Sequence, residues 1–289
     1  MIEMLTVLEI IKKTTDFFAA KGVENPRLNA ELLVGHGLGL KRMQLYLQFE
    51  RLLTPAELET IRPLVRRRGQ REPLQYILGE TDFFGLKLKT DRRALIPRPE
   101  TEYLVELVVG RLAQPPSRIL DLGTGTGAIA LALSRTFPNS EVIAVDASET
   151  ALALAAENAA FNQMETKVTW LLSDWYSALS AEVTFDLIIA NPPYLTSAET
   201  AETTPEVRDH EPASALTSSG VEGRDDLEKI ISGAGQRMVP GALLALETGI
   251  DQHAALREFG VARGFVDIES LQDLTQRDRY LFARAPAPV

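Results

Sequence analysis

The chain has 289 residues, 45% hydrophobic and 24% charged, an ordinary globular mixture long enough for one large domain or, better, two. Its 30 Lys/Arg against 40 Asp/Glu leave a net charge of −10, a poor balance for neutralising phosphates, so no direct nucleic-acid partner is expected. It has no cysteine, which excludes disulfides and thiolate metal sites, and no apolar run of membrane-spanning length, so no membrane association is expected.

Residues 1–75 read as a small helical domain. Glu3 precedes the first apolar stretch and Lys12 and Lys13 follow it, the wrong order for a secretory signal, so a cytoplasmic location is expected. Leu5, Leu8, Ile11 and Thr15 make one helical stripe; Leu28, Leu32 and Leu33 make another after the start signal Pro26. Thr54-Pro55-Ala56-Glu57 pairs an N-cap with proline at the first helical position and a capping-box acid, and predicts a helix through Arg68 to Gly69. This region holds 12 Lys/Arg and 9 Asp/Glu, net +3, against 18 and 31, net −13, in the remainder. Arg66, Arg67, Arg68 and Arg71 concentrate the positive charge. They read either as a solvated helix face or as a patch for an acidic or RNA-associated partner.

Residues 76–97 read as a linking β-hairpin around Phe83-Phe84-Gly85-Leu86-Lys87-Leu88-Lys89. The segment Leu95-Ile96-Pro97-Arg98-Pro99 is held extended by its prolines, and a helix begins near Thr101. Residues 98–289 read as a catalytic domain in which, from residue 118 onward, strand and helix patterns alternate, as in a doubly wound parallel sheet. The expected strands are Ile119-Leu120, 141–145, 168–172, 185–190, 242–246, 266–268 and 279–282, with a frayed tail from Ala285. Residues 196–224, rich in Thr, Glu and Ser, read as a loop or lid. His36, His210 and His253 lack ligand spacing, so no metal is expected.

The tips of these strands carry the chemistry. Asp121-Leu122-Gly123-Thr124-Gly125-Thr126-Gly127 is a glycine-rich strand-to-helix turn that lets a cofactor approach the backbone. Its Gly-x-Gly-x-Gly spacing differs from the dinucleotide fingerprint, and no P-loop Lys-Ser/Thr follows. Asp146 ends the next strand, where an acid suits paired ribose hydroxyls. Asp174 and Trp175 follow the third and could flank an adenine. Asn191-Pro192-Pro193-Tyr194 ends the fourth. Proline cannot continue a ladder, so the chain stops there and displays an amide oxygen, a rigid carbonyl and an aromatic ring. That set suits a planar amide, whose N–H groups need acceptors and whose delocalised lone pair needs alignment. Taken singly, each motif also fits a tight turn or a surface acid; in order, each at a strand end, they point to one site.

Together with Tyr76-Ile77-Leu78-Gly79, Phe83-Phe84-Gly85, Ile96-Pro97-Arg98-Pro99-Glu100-Thr101-Glu102 and Glu211-Pro212, these residues resemble the class I S-adenosylmethionine-dependent methyltransferases. More narrowly, they resemble the PrmC/HemK family of protein-(glutamine-N5) methyltransferases that act on class 1 peptide chain release factors. The likeness covers nearly the whole chain. It implies an α/β class I methyltransferase fold with a small N-terminal helical domain and a linking hairpin. It implies S-adenosylmethionine held by Gly123, Thr124, Gly125, Thr126, Gly127, Asp146, Asp174, Trp175 and Asn191. It also implies glutamine gripped by Asn191, Pro192, Pro193 and Tyr194, with Arg98, Glu100 and Thr101 at the same mouth. Two positions depart from the family pattern: His210, where an aromatic is usual, and Gln276, where glycine is frequent. An N6-adenine nucleic-acid methyltransferase, a ribosomal-protein glutamine methyltransferase and a non-enzymatic adaptor with a vestigial cofactor fold are the competing readings. The negative charge of residues 76–289 argues against the first, and the intact glycine turn, Asp146 and Asn191 against the last.

Overall fold

The computed structural model describes residues 5–287. They fall into two compact units. One comprises the chain up to Gly79 with Thr204–His210; the other comprises Glu80–Thr203 and the chain from Glu211.

The first unit contains helices Val7–Ala20, Pro26–Leu38, Arg42–Tyr46, Pro55–Gly69 and Leu74–Leu78. Thr6 and Thr54 cap two of them through reciprocal bonds with Glu9 and Glu57, the second as the Thr54-Pro55-Ala56-Glu57 pattern predicts. The buried stripe of the first helix is Val7, Ile11, Thr14 and Phe18, so of the expected Leu5, Leu8, Ile11 and Thr15 only Ile11 is buried. In the second helix Ala30, Leu33 and Val34 are buried while Leu28 is exposed. Glu31 is fully buried on that helix and binds Arg27, Arg42 and the Tyr46 hydroxyl. Burial pushes its carboxyl up, but those three bonds outweigh burial and leave it lowered. The arginine tract is spent largely inside the unit: Arg67 binds Glu72, Arg68 binds Asn29 and Glu206, and Arg71 binds Glu206. Of the four only Arg66 remains on the exposed face, so the tract is not an open cationic patch.

The second unit begins with the hairpin β1 (Glu80–Phe83) and β2 (Leu86–Lys89). Tyr76–Leu78, expected in the hairpin, are instead the end of a helical turn closed by Gly79 in the left-handed region. The hairpin is no free-standing connector. Phe83, Leu86 and Leu88 enter the same core as helix Ala128–Thr136, and the Asn158 side chain clasps the Lys89 backbone.

The main sheet has seven strands: β3 (Arg118–Leu122), β4 (Glu141–Asp146), β5 (Val168–Leu172), β6 (Phe185–Ala190), β7 (Met238–Glu247), β8 (Val266–Gln272) and β9 (Asp278–Arg284), in the order β5-β4-β3-β6-β7-β9-β8. Strands β3 to β7 run parallel, and β9 is antiparallel to both β7 and β8. Apolar side chains of the central strands feed two cores, one on each face, as a doubly wound sheet requires. Ala285 exchanges backbone bonds with Gly241 and Ala242, so the expected fraying does not begin there; Pro288 and Val289 lie outside the described residues. The chain builds outward from β3 to β4 and β5, then returns to place β6 on the other side of β3. That reversal is a topological switch point, where carboxyl ends of strands open a crevice.

Candidate active site

Register sets the site. Leu122 pairs with Val145 on one side and Ala190 on the other, and Ala190 pairs with Leu246. The next residues, Gly123, Asp146, Asn191 and Glu247, therefore leave four neighbouring strands at one level, spaced by the sheet at about 4.8 Å per strand. Beneath this row lies a cavity of about 570 Å³, within the range of small-molecule sites. Arg98, Thr101, Gly123, Thr124, Gly125, Thr126, Asp146, Asp174, Trp175, Asn191 and Pro193 all line it. Glu100, Gly127, Pro192 and Tyr194, also expected at the site, are not among its lining residues.

The glycine turn works through backbone shape. Gly123, Gly125 and Gly127 all have positive φ, at 73°, 54° and 81°. At Gly127 a Cβ would also come within 3.0 Å of the Trp170 ring and 3.1 Å of the Ala155 Cβ, so strain and crowding both demand glycine. Asp121, at the base of the turn, is fully buried. Its Oδ2 accepts from the Thr124 hydroxyl (2.6 Å) and the Ala130 N–H (3.1 Å), while Oδ1 has no partner. Burial pushes its carboxyl up to about 7.

Asp146 accepts the Gly125 N–H on one oxygen and the Ser148 N–H on the other, both at 2.8 Å. A carboxylate offers about four lone pairs, so acceptor capacity remains for ligand hydroxyls. Burial raises its pKa, partly offset by those backbone bonds. Trp175 sits at φ 47°, an uncommon conformation for a bulky residue, with its indole N–H on Asp226 (3.3 Å) and its ring near Gly123. The fully buried Glu211 carboxyl accepts from the Ile96 N–H (3.0 Å) and from Arg98, fixing the extended segment at the cavity mouth.

Asn191 donates from Nδ2 to the Thr101 hydroxyl (2.8 Å), and Thr101 donates to Glu247 Oε2 (2.7 Å). The amide oxygen of Asn191 is thus the pole left for a ligand. The Tyr194 hydroxyl donates to Glu247 Oε1 (3.2 Å), and the Arg279 guanidinium lies 5.8 Å from the Tyr194 ring centre. Burial leads the causes that hold the tyrosine protonated.

The PrmC N-terminal domain model matches residues 9–79 and the methyltransferase small domain model matches 101–221. The chain is 41% identical over 290 residues to a release factor glutamine methyltransferase of Chlorobaculum tepidum, spanning 97% of both chains. It is 37% identical over 286 residues to that of Rhodopirellula baltica, spanning 96% of this chain and 95% of the other. The chain belongs to the release factor glutamine methyltransferase family. Among solved structures, a 16S rRNA methyltransferase of T. thermophilus (RsmC), in complex with AdoMet and guanosine, superposes with a TM-score of 0.52 at 22% identity, covering 71% of this chain and 49% of that one. At that identity the likeness shows a shared fold and nothing finer.

Within this family member, sequence reasoning missed Glu247, Glu211 as a clasp, and Asp121 as an acid with an orphaned oxygen. Glu247 carried a usable signal, since it ends an apolar strand as Asp146 does. The pairing of Glu247 with Thr101 had none, because 146 positions separate them.

Proposed function

We propose that this chain is a release factor glutamine methyltransferase. It transfers the methyl group of S-adenosylmethionine to the side-chain amide nitrogen (N5) of a glutamine, the one in the Gly-Gly-Gln motif of class 1 peptide chain release factors. The observation that carries this reading is the orientation of Asn191, whose amide oxygen is left for a ligand one strand away from the glycine turn and in the same cavity. The family's 37–41% identical relatives bear the same activity in their names.

The residues fit the cofactor. Residues 123–126 would leave room for its methionine end, Asp146 has acceptors to spare for the ribose, and Asp174 and Trp175 would border the adenine. When bound, it supplies a methyl group made electrophilic by a sulfonium. The chain's contribution is alignment. The Asn191 oxygen accepts from the glutamine NH₂, orienting its nitrogen, and the two prolines stiffen that corner. Arg98 and Thr101 line the cavity, and Tyr194, outside its lining, braces the corner through Glu247. Holding a near-attack geometry is worth several kcal/mol, on the order of 7 or more in well-oriented systems. The same acceptor stabilises positive charge developing on nitrogen, an oxyanion hole of opposite sign. The alkylated amide is acidic enough to lose its proton without a strong base. A substrate that works in translation supports a cytoplasmic location.

Incubation with labelled cofactor and a class 1 release factor, beside its Gln→Ala form, is the direct test. Label should enter only the glutamine form; label in the alanine form, or in nucleic acid alone, would overturn the reading. Asn191→Ala should cut turnover by roughly 10³-fold, as loss of a main electrostatic group does, with cofactor affinity changed by less than about threefold.

A further inference from the structure

We infer that Glu247, acting through Thr101, determines which way the Asn191 amide points, and is a positioning residue for the glutamine acceptor. The inference deepens the function proposed above and rests on it.

A hydroxyl can donate or accept, and an amide presents a donor at one end and an acceptor at the other. A Thr–Asn pair by itself is therefore satisfied in two ways, one of which turns the Asn191 oxygen toward Thr101 and its NH₂ toward the substrate. Two NH₂ groups would then face each other, and the glutamine would lose its acceptor. Glu247 removes this ambiguity. An ionised carboxylate only accepts, and Oε2 takes the single proton of Thr101 at 2.7 Å. Thr101 is left as an acceptor toward Asn191, whose Nδ2 meets it at 2.8 Å. The other oxygen takes the Tyr194 hydroxyl, so one carboxylate holds both ends of the Asn191–Tyr194 corner.

Glu247 is 2% exposed and does not line the cavity, so it acts from behind Asn191 and Thr101. Burying a carboxylate costs stability where an apolar residue would pack well, which argues that the position is kept for what it directs. The charged and titratable groups around it are Arg279 on β9, Glu100 at the start of helix Pro99–Arg111, Tyr194 and Tyr280, with Asp273 3.7 Å from Arg279. Burial pushes the Glu247 carboxyl up to about 7, Glu100 adds to this, and Thr101, Arg279 and Tyr194 oppose it. Once protonated, Glu247 can donate to Thr101. The Thr101 proton is then released toward Asn191, and the amide is free to turn.

The test compares Thr101→Val, which keeps shape without the hydroxyl, Thr101→Ser, which restores it, and Glu247→Gln. For each, kcat and KM are measured on a Gly-Gly-Gln peptide. Peptide affinity is measured calorimetrically with S-adenosylhomocysteine present, and S-adenosylmethionine affinity is measured separately as a check on folding. T101V and E247Q should lose about 50-fold or more in kcat/KM and about tenfold in peptide affinity, as expected for a lost orienting bond, with cofactor affinity within about threefold. T101S should recover at least about tenfold over T101V. Wild-type kcat/KM should fall from about pH 8 to about pH 6 as one proton binds, and E247Q should be flat over that window. Wild-type kcat/KM in T101V, or an unchanged pH profile in E247Q, overturns the inference and leaves the proposed function standing. A wild-type enzyme that methylates no glutamine peptide overturns both.

Discussion

Asp146 shows how a single carboxylate serves the backbone and leaves capacity for a ligand. Its two oxygens tie the glycine turn to the start of the next helix through Gly125 and Ser148. Replacing it with alanine should weaken S-adenosylmethionine binding by about 10- to 100-fold, the value of one or two hydrogen bonds to a charged group. Calorimetry decides; undiminished affinity would move the ribose elsewhere. That Asp146, Asp174 and Trp175 line the cavity was legible because an acid or aromatic at a strand tip is a local pattern. The same rule reaches Glu247, but its meaning comes from Thr101 and Asn191, which only the sheet's register brings beside it. Glu211 is similar: its bonds to Ile96 and Arg98 span more than a hundred positions.

At the scale of elements, caps were more legible than faces. Thr54 and Glu57 announce a helix start within four residues, and the helix begins there. Thr54→Ala should cost about 1 kcal/mol, read as a lower denaturant midpoint with unchanged slope. The first helix was harder because Leu5, Val7, Leu8, Ile10 and Ile11 supply two adjacent apolar stripes. Packing against Leu33 and Ile61 selects the stripe through Val7 and Phe18. The turn between β8 and β9 holds Gln276 at φ 63°, in the left-handed region that glycine adopts at no steric cost. Gln276→Gly should gain up to about 1 kcal/mol by relieving left-handed strain; a lower midpoint would show that the Gln276 side chain matters more. The place of Thr204–His210 in the N-terminal unit left no mark in the sequence, since it depends on Glu206 meeting Arg68 and Arg71.

For the whole molecule, the buried acids set how stability varies with pH. Asp121 and Glu247 are both pushed up to about 7 by burial. The native state therefore holds these protons where the unfolded chain, with carboxyls near 4, has lost them. Their contribution is fully present below about pH 4 and is lost as pH rises through about 7. Glu57 is pulled down to about 2, chiefly by the Thr54 N–H and then by Arg51, and Glu31 and Glu206 are also lowered. Their contribution is present above about pH 4 and is lost as pH falls through their folded values. Stability should peak near about pH 5 and decline toward about pH 8, and Asp121→Asn should flatten that decline. Urea unfolding across that range measures it; an identical slope in the variant would remove Asp121 from the account. The row formed by Gly123, Asp146, Asn191 and Glu247 has a different kind of consequence. Deleting one residue within any of these strands would draw its tip back by about 3.3 Å and onto the opposite face, whereas lengthening a connecting loop would leave the row untouched. Descendants of this chain are thus free to drift in what they recognise, while the metric of the transfer stays that of a hydrogen-bonded lattice.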